Sequence, residues 1–405
     1  MRRMIWVGDA VAPTGFGRVT HAIVPELQAH GWDVHVLGIN YLGDPHSYPY
    51  PIFPASRGGD VYGLGRIGAL VERLEPDVVV VLNDPWIVAQ FAALRLPVPL
   101  VGYMPVDAPN IRESVAQALS SGVALSIFYT QFGLDELRAR GFRGRSAVIP
   151  HGVDLDVFQP MPRAVARRSL GLDQFLPAGS FVVGNVNRNQ PRKRLDLTVQ
   201  YFARWLEESK PDRPAFLYLH CAERDQGWDV RQLAEYYGVR RRLLVTHGFA
   251  TPLQGPPPEW LRALYCALDL QVSTTLGEGW GLTTMEGMAC GVPQLVPEWS
   301  ALAEWPRGAV RYVPVTSYVA AAQQLNTIGG VADAQVFVAE LDELYRNDLE
   351  REALGRRGRE LVSRPEFRWS TIGERFHQEL TGLLENAAGP AATAEQIVLE
   401  AAAVG

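Results

Sequence analysis

Lysine is nearly missing from this chain: of its 38 Lys and Arg residues, only Lys193 and Lys210 are lysine. Coding preference and heat adaptation both produce such a bias. Either way arginine is the default cation, which makes Lys193 conspicuous. Cysteine is scarce too. Cys221, Cys266 and Cys290 lie far apart in apolar runs, so no metal spacing or disulfide framework is visible, as expected in a reducing cytoplasm. Positive charge is not in excess, and a net charge of −6 gives a general nucleic-acid binder no electrostatic footprint. No apolar run approaches the ~20 residues of a membrane span, and the one after Met1-Arg2-Arg3 is too brief for a signal peptide. No repeat of solenoid period is evident. What is present is 47% hydrophobic and 20% charged residues, the balance of a globular protein. At 405 residues the chain exceeds one ordinary core and predicts two domains.

The first half reads as alternating strands and helices. Met4 to Gly8 is a strand, Pro13 to Thr20 a glycine loop, and a helix runs to about His30, stopped by Gly31. Val34 to Ile39 is a second strand, so the opening is that of a doubly wound α/β domain. Gly15-x-Gly17-x-x-Thr20 is close to a dinucleotide fingerprint. Thr20 replaces its third glycine, however, and Gly38-Ile39-Asn40 brings no acidic residue for a ribose. Gly15 and Gly17 also read simply as turn residues. Pro76 to Leu82 and Pro99 to Tyr103 are continuous apolar strands, ending in Asn83-Asp84-Pro85 and Met104-Pro105-Val106-Asp107. Asp107 reads as a cap for the segment from Ala108. A further strand, Ala124 to Tyr129, precedes a helix over Phe132 to Arg140. Asp154-Leu155-Asp156 is formally Asp-x-Asp but belongs to a turn, and no metal is implied.

An interdomain linker is expected within the arginine-rich stretch Pro160 to Leu176. Ser180 to Asn187 then starts a second α/β domain, leading through Arg188, Arg192, Lys193 and Arg194 into an amphipathic helix through Trp205. Arg192 and Arg194 are expected to be solvated or charge-paired. Ala215 to Cys221 and Leu243 to Gly248 read as strands, with His220 and His247 at their ends as structural histidines. The most informative stretch follows the strand Leu268 to Ser273: Gly277-Glu278-Gly279-Trp280-Gly281, then a helix from Leu282 to Cys290 stopped by Gly291 and Pro293. Three glycines let the backbone approach a ligand, and the free N–H groups of Leu282 to Thr284 form an anion site. Glu278 and Glu286 cannot hold phosphate, but they can accept hydrogen bonds from the hydroxyls flanking one, as in a sugar nucleotide. A structural reading stands beside this, since a glycine loop between strand and helix recurs throughout α/β proteins and a Glu near a helix start often only balances the dipole.

Glu278 and Glu286, set in Glu-Gly-Trp-Gly-Leu and Glu-Gly-Met-Ala-Cys-Gly-Val-Pro, resemble the signature of the retaining glycosyltransferases of family four. The resemblance runs from the Pro13 loop to the Trp369 helix, and 13–20, 83–85 and 187–197 are similar to a chlorella-virus-type branch. It implies the GT-B fold, an α/β architecture of two facing Rossmann-like domains around a cleft. The expected division is 1–165 for the acceptor domain and 166–366 for the donor domain. A helix over 367–386 would return to the first domain, and 387–405 would form a flexible tail. By the same resemblance Arg188 and Lys193 grip the donor diphosphate, Glu278 holds sugar hydroxyls and Glu286 the ribose. Gly15, Phe16, Gly17, Gly279, Trp280, Gly281, Leu282 and Thr283 line the donor. Asp107 stands where the family often has a histidine, and is taken with Arg188, Lys193 and Glu278 as catalytic.

The implied function is metal-independent, retaining transfer of a hexose from a nucleoside diphosphate sugar, GDP-mannose or UDP-glucose, to a small-molecule or glycan acceptor in the cytoplasm. No cofactor beyond the sugar nucleotide is expected. Other classes stay open: a non-catalytic sugar-nucleotide-binding protein, a GT-B epimerase acting on its own nucleotide, an NAD-dependent oxidoreductase built on the Gly15 loop, or a transferase acting on nucleic-acid bases.

Overall fold

The computed structural model describes residues 1–222, 225–246, 255–321 and 325–387. His247, Gly248 and the tail from 388 lie outside the described residues.

Two parallel sheets are built from the same wiring. The first contains β1 (Arg3–Asp9), β2 (Asp33–Ile39), β3 (Ile52–Pro54), β4 (Val78–Leu82), β5 (Leu100–Met104), β6 (Leu125–Phe128) and β7 (Ser146–Val148), in the order 3-2-1-4-5-6-7. The second contains β8 (Phe181–Val186), β9 (Ala215–His220), β10 (Leu243–Val245), β11 (Leu270–Val272), β12 (Gln294–Pro297) and β13 (Arg311–Val313), in the order 10-9-8-11-12-13. A hairpin of β14 (Val315–Ala320) and β15 (Ile328–Ala332) follows. Every residue of β4, β5 and β8 is buried, because helices cover both faces of each sheet.

Helices α1 (Gly15–Ala29), α2 (Leu64–Leu74), α3 (Pro85–Ala93), α4 (Glu113–Gly122) and α5 (Gln131–Ala139) link the first set of strands. Thr14 caps α1 by accepting from the Gly17 N–H at 3.0 Å, and Gly31 ends the segment at φ +85°. In the second half come α6 (Arg163–Ser169), α7 (Leu195–Ser209), α8 (Val230–Tyr236), α9 (Pro258–Ala267), α10 (Leu282–Ala289), α11 (Ala334–Arg346) and α12 (Asp348–Val362). This is the GT-B arrangement expected from the sequence, two Rossmann-like domains facing one another. The last helix, α13 (Trp369–Ala387), lies along α1: a methyl group on Gly373 would sit 2.4 Å from Cβ of Glu26, and the Trp32 indole donates to Nδ1 of His377 at 3.1 Å.

The stretch Pro160 to Leu176, within which the interdomain linker is expected, carries α6, packed on α9. Arg163 and Arg167 reach the buried Asp269 at 3.0 and 2.7 Å, and Asp269 also accepts from the Val182 N–H at 2.7 Å. The arginines that make the segment look solvated are its anchors.

Candidate active site

Strand order reverses between β1 and β4 in one sheet and between β8 and β11 in the other, and ligand crevices of doubly wound sheets open at such points. The loops leaving these strands meet across the cleft. A methyl group on Gly277 would lie 2.0 Å from the carbonyl oxygen of Asp107, and one on Gly279 would lie 2.3 Å from Cβ of Pro105. What these two glycines approach is therefore the Pro105–Asp107 loop of the opposite domain. Gly281, at φ +96°, occupies the N-cap of α10, where no side chain caps the helix. Gly277→Ala is expected to hold the domains apart, lowering activity about a hundredfold through misplacement of the reacting groups. Small-angle scattering should show a larger radius of gyration with unchanged secondary structure. Full activity would mean that this approach is not needed.

Charges interlock where the loops meet. The Lys193 ammonium pairs with one oxygen of Glu278, and Arg192 reaches the other at 3.1 Å. Arg192 also spans the cleft to Asp107 at 3.0 Å. Burial alone would raise the Glu278 carboxyl, but Lys193 and Arg192 outweigh it and hold the group below the usual glutamate range. Lys193, pulled the other way by burial, is lowered. Burial raises Asp107, with Arg192 opposing. On the donor side Glu286 is buried on α10. One of its oxygens pairs with Arg18 of α1, and the other accepts from the Tyr265 hydroxyl at 2.7 Å. Arg188, 41% exposed, forks onto Asp225 at 2.6 and 3.1 Å.

The first-domain wall is acidic. Asp9 ends β1 and Asp84 follows β4, one strand over. Burial, with Asp107 nearby, pushes the Asp84 carboxyl up to about 7. Between them the chain after β1 is strained. Val11 sits at φ +65°, and its N–H donates to Nε2 of His21 at 2.8 Å. That bond needs a neutral imidazole, and burial lowers His21 to about 4.

The structure brings together Lys193, Glu278, Asp107, Gly279 and the N-terminus of α10. Gly15 faces Leu282 across the cleft, 3.7 Å from Cδ1 to where its methyl would be, and Phe16 packs half-buried on the core. Gly17 is glycine because a methyl there would meet the Ala12 carbonyl at 2.3 Å. The Thr283 carbonyl accepts from Gln271 at 3.0 Å. The Trp280 side chain is in the core, stacked on Trp305 at 4.8 Å, so only its backbone can face a ligand. Arg188 stands apart on Asp225. Sequence reasoning passed over Arg18, put Asp84 at the ligand-binding edge of its strand without a role, and gave Arg192 no role in the site. Arg194 pairs with Asp196, and His220 meets Thr246 at 2.9 Å, burial lowering the imidazole to about 4. Asp154 accepts from the N–H groups of Asp156 and Val157 at 2.9 and 3.1 Å, in a turn. Among the described residues no group of three or more His, Cys, Asp or Glu is placed to hold a metal ion. Nor is any helix among them long and apolar enough to cross a membrane.

Comparison with known proteins bears on this geometry. The family described as "Glycosyltransferase Family 4" matches residues 13–157, and "Glycosyl transferases group 1" matches 180–329, so the two patterns take in both walls of the cleft. Each half of the chain is thus similar to glycosyltransferases of the family-four type. A D-inositol 3-phosphate glycosyltransferase of Thermobispora bispora is 32% identical over 149 residues, 37% of this chain and 33% of that protein. The chain thus spans about a third of the length of that curated relative. Among solved structures, sucrose-phosphate synthase from Thermosynechococcus elongatus superposes with a TM-score of 0.74 at 19% identity, covering 95% of this chain and 99% of that one. HepE of Anabaena in complex with UDP-glucose superposes at 0.70 with 17% identity, covering 94% and 100%. At such identities these structures establish the shared fold.

Proposed function

We propose that this protein moves a hexosyl group from a nucleoside diphosphate sugar to an acceptor hydroxyl, with retention and without a metal ion, in the cytoplasm. The observation that carries the reading is the buried Glu278 carboxylate, gripped by Lys193 and Arg192 beside the uncapped N-terminus of α10. As the glycosidic bond breaks, negative charge grows on the leaving diphosphate. Fixed cations and free N–H groups at that place stabilise the transition state more than the ground state. Lys193 and the backbone of Leu282 to Thr284 would carry the phosphates, with Arg188 turning in from Asp225. Glu278 would hold sugar hydroxyls and Glu286 the ribose. A carboxylate has about four lone-pair sites, so Glu286 can keep Tyr265 while accepting from a hydroxyl.

The HepE complex supports UDP-glucose as the first donor to test, with GDP-mannose second. The finer kinship with the chlorella-virus-type branch is part of this proposal and rests on 13–20, 83–85 and 187–197 alone. A panel of UDP-, GDP- and ADP-sugars is expected to raise the melting temperature with one nucleotide family. At a hundredfold excess over Kd the stabilisation should be about 2.7 kcal/mol, and it should be largely lost in Glu286→Ala. A shift with NAD and none with any sugar nucleotide would sink the reading.

A further inference from the structure

Three carboxylates end adjacent strands on the first-domain wall of the cleft: Asp9 at β1, Asp84 after β4 and Asp107 after β5. They are held differently. Asp9 accepts from the Thr14 hydroxyl and from the Asn40 amide at 3.1 Å. Asp107 pairs with Arg192 at 3.0 Å. Asp84 has neither kind of partner: its backbone N–H is bound by Asn83 at 2.9 Å, but among the described residues its carboxylate takes no hydrogen bond and no ion pair.

A second group on this wall is also unpartnered. Tyr129 follows β6, is 3% exposed, and its hydroxyl has no hydrogen-bond partner among the described residues. Its ring is fixed against Tyr103 at 4.5 Å and His151 at 4.0 Å. Both Asp84 and Asp107 act on its phenol, which burial chiefly raises. Buried hydroxyls are rarely left without a partner, so the Tyr129 hydroxyl, within the electrostatic reach of the partly exposed Asp84 carboxylate, marks a place where a ligand supplies the bonds. The cations nearby are already committed: Arg192 to Asp107 and Glu278, Lys193 to Glu278, Arg18 to Glu286 and Arg188 to Asp225.

We infer that the acceptor is an uncharged polyol whose hydroxyls donate to Asp84 and meet Tyr129, and that this wall rejects an acceptor bearing phosphate at the bound end. The inference rests on the transferase reading above. With the Asp84 carboxyl raised to about 7, both its ionised form, which only accepts, and its protonated form, which also donates, are present near neutral pH, and a hydroxyl, which donates and accepts, complements either. Phosphate brings acceptors and negative charge to a wall that already has both in excess. Like charges in a cleft cost more than in open water, which makes the wall a filter by repulsion.

The test measures kcat/KM, with the donor fixed, for matched acceptors: myo-inositol against D-inositol 3-phosphate, glucose against glucose 6-phosphate, and fructose against fructose 6-phosphate. The expected result is at least a tenfold preference for the neutral member of each pair that reacts. Asp84→Asn, which keeps the size of the side chain at the start of α3, should shrink that ratio by raising the phosphorylated member relative to the neutral one. A preference for the phosphorylated member, or a ratio unmoved by Asp84→Asn, overturns the inference. Donor hydrolysis without transfer to any neutral polyol overturns it as well and leaves the donor site standing. Failure to bind any donor sinks the transferase reading and this inference together.

Discussion

Lys193→Ala is expected to lower kcat by a factor of about 10² to 10³, the usual loss when one fixed charge-stabilising group is removed from a site of this kind. Donor affinity should change by less than about tenfold. The difference follows from what Lys193 does before the donor arrives. Its ammonium is already paired with Glu278, on a side chain 11% exposed, so a bound diphosphate gains a cation that is shared. As negative charge develops on the leaving oxygens, the ammonium is attracted more strongly to them, and no solvent has to reorganise. Arg192 stays on Glu278 at 3.1 Å in the variant, so the carboxylate is not orphaned and the loop should keep its position. Steady-state kinetics with a direct binding measurement on the same protein would check this. Equal losses in turnover and affinity would mean that Lys193 only binds.

The parts of the fold readable from sequence are those whose environment is uniform along the segment. β4 is five apolar residues because parallel strands covered on both faces have nothing polar to show. The edge strands β3 and β7 are three half-buried residues each, too short to carry a period, and they were not expected. Likewise Arg163 and Arg167 look like solvated charge until Asp269, about a hundred residues away, is brought beside them. No local pattern announces a partner that distant.

The same limit divides the site. Glu278, Glu286 and Lys193 were found because their spacing resembles a family signature. Physics alone would have left each as one charge among many. Arg192 escaped because it stands among arginines in a chain where arginine is the default, and its value comes from geometry. The turn Pro191–Lys193 aims it at Asp107 and Glu278 together, while Arg188, preferred on spacing, is occupied by Asp225. The glycines were readable as close approaches, but what they approach was not. Asp84 was legible as a carboxylate at the ligand-binding end of a buried strand, but its lack of a partner among the described residues was not.

Arg18→Met should lower stability by about 3 kcal/mol, toward the lower end of what is lost when one partner of a buried pair is removed. The two partners differ in exposure: the Arg18 side chain is 33% exposed and that of Glu286 only 5%, so the loss falls mainly on an orphaned glutamate. Tyr265 still donates to one oxygen at 2.7 Å, which limits the damage but supplies no positive charge. Adding Glu286→Gln removes the unpaired charge, and the double variant should recover more than half of the loss. Because Arg18 lies on α1 and Glu286 on α10, the pair also ties the two domains together, and the variant can relieve the buried charge by opening the cleft. A denaturation series on wild type, both single variants and the double variant separates the terms. If Glu286→Gln deepens the loss caused by Arg18→Met, Glu286 is not a desolvated charge held by Arg18. Recovery would show that the carboxylate proposed for the ribose is held in place by an arginine from the opposite wall.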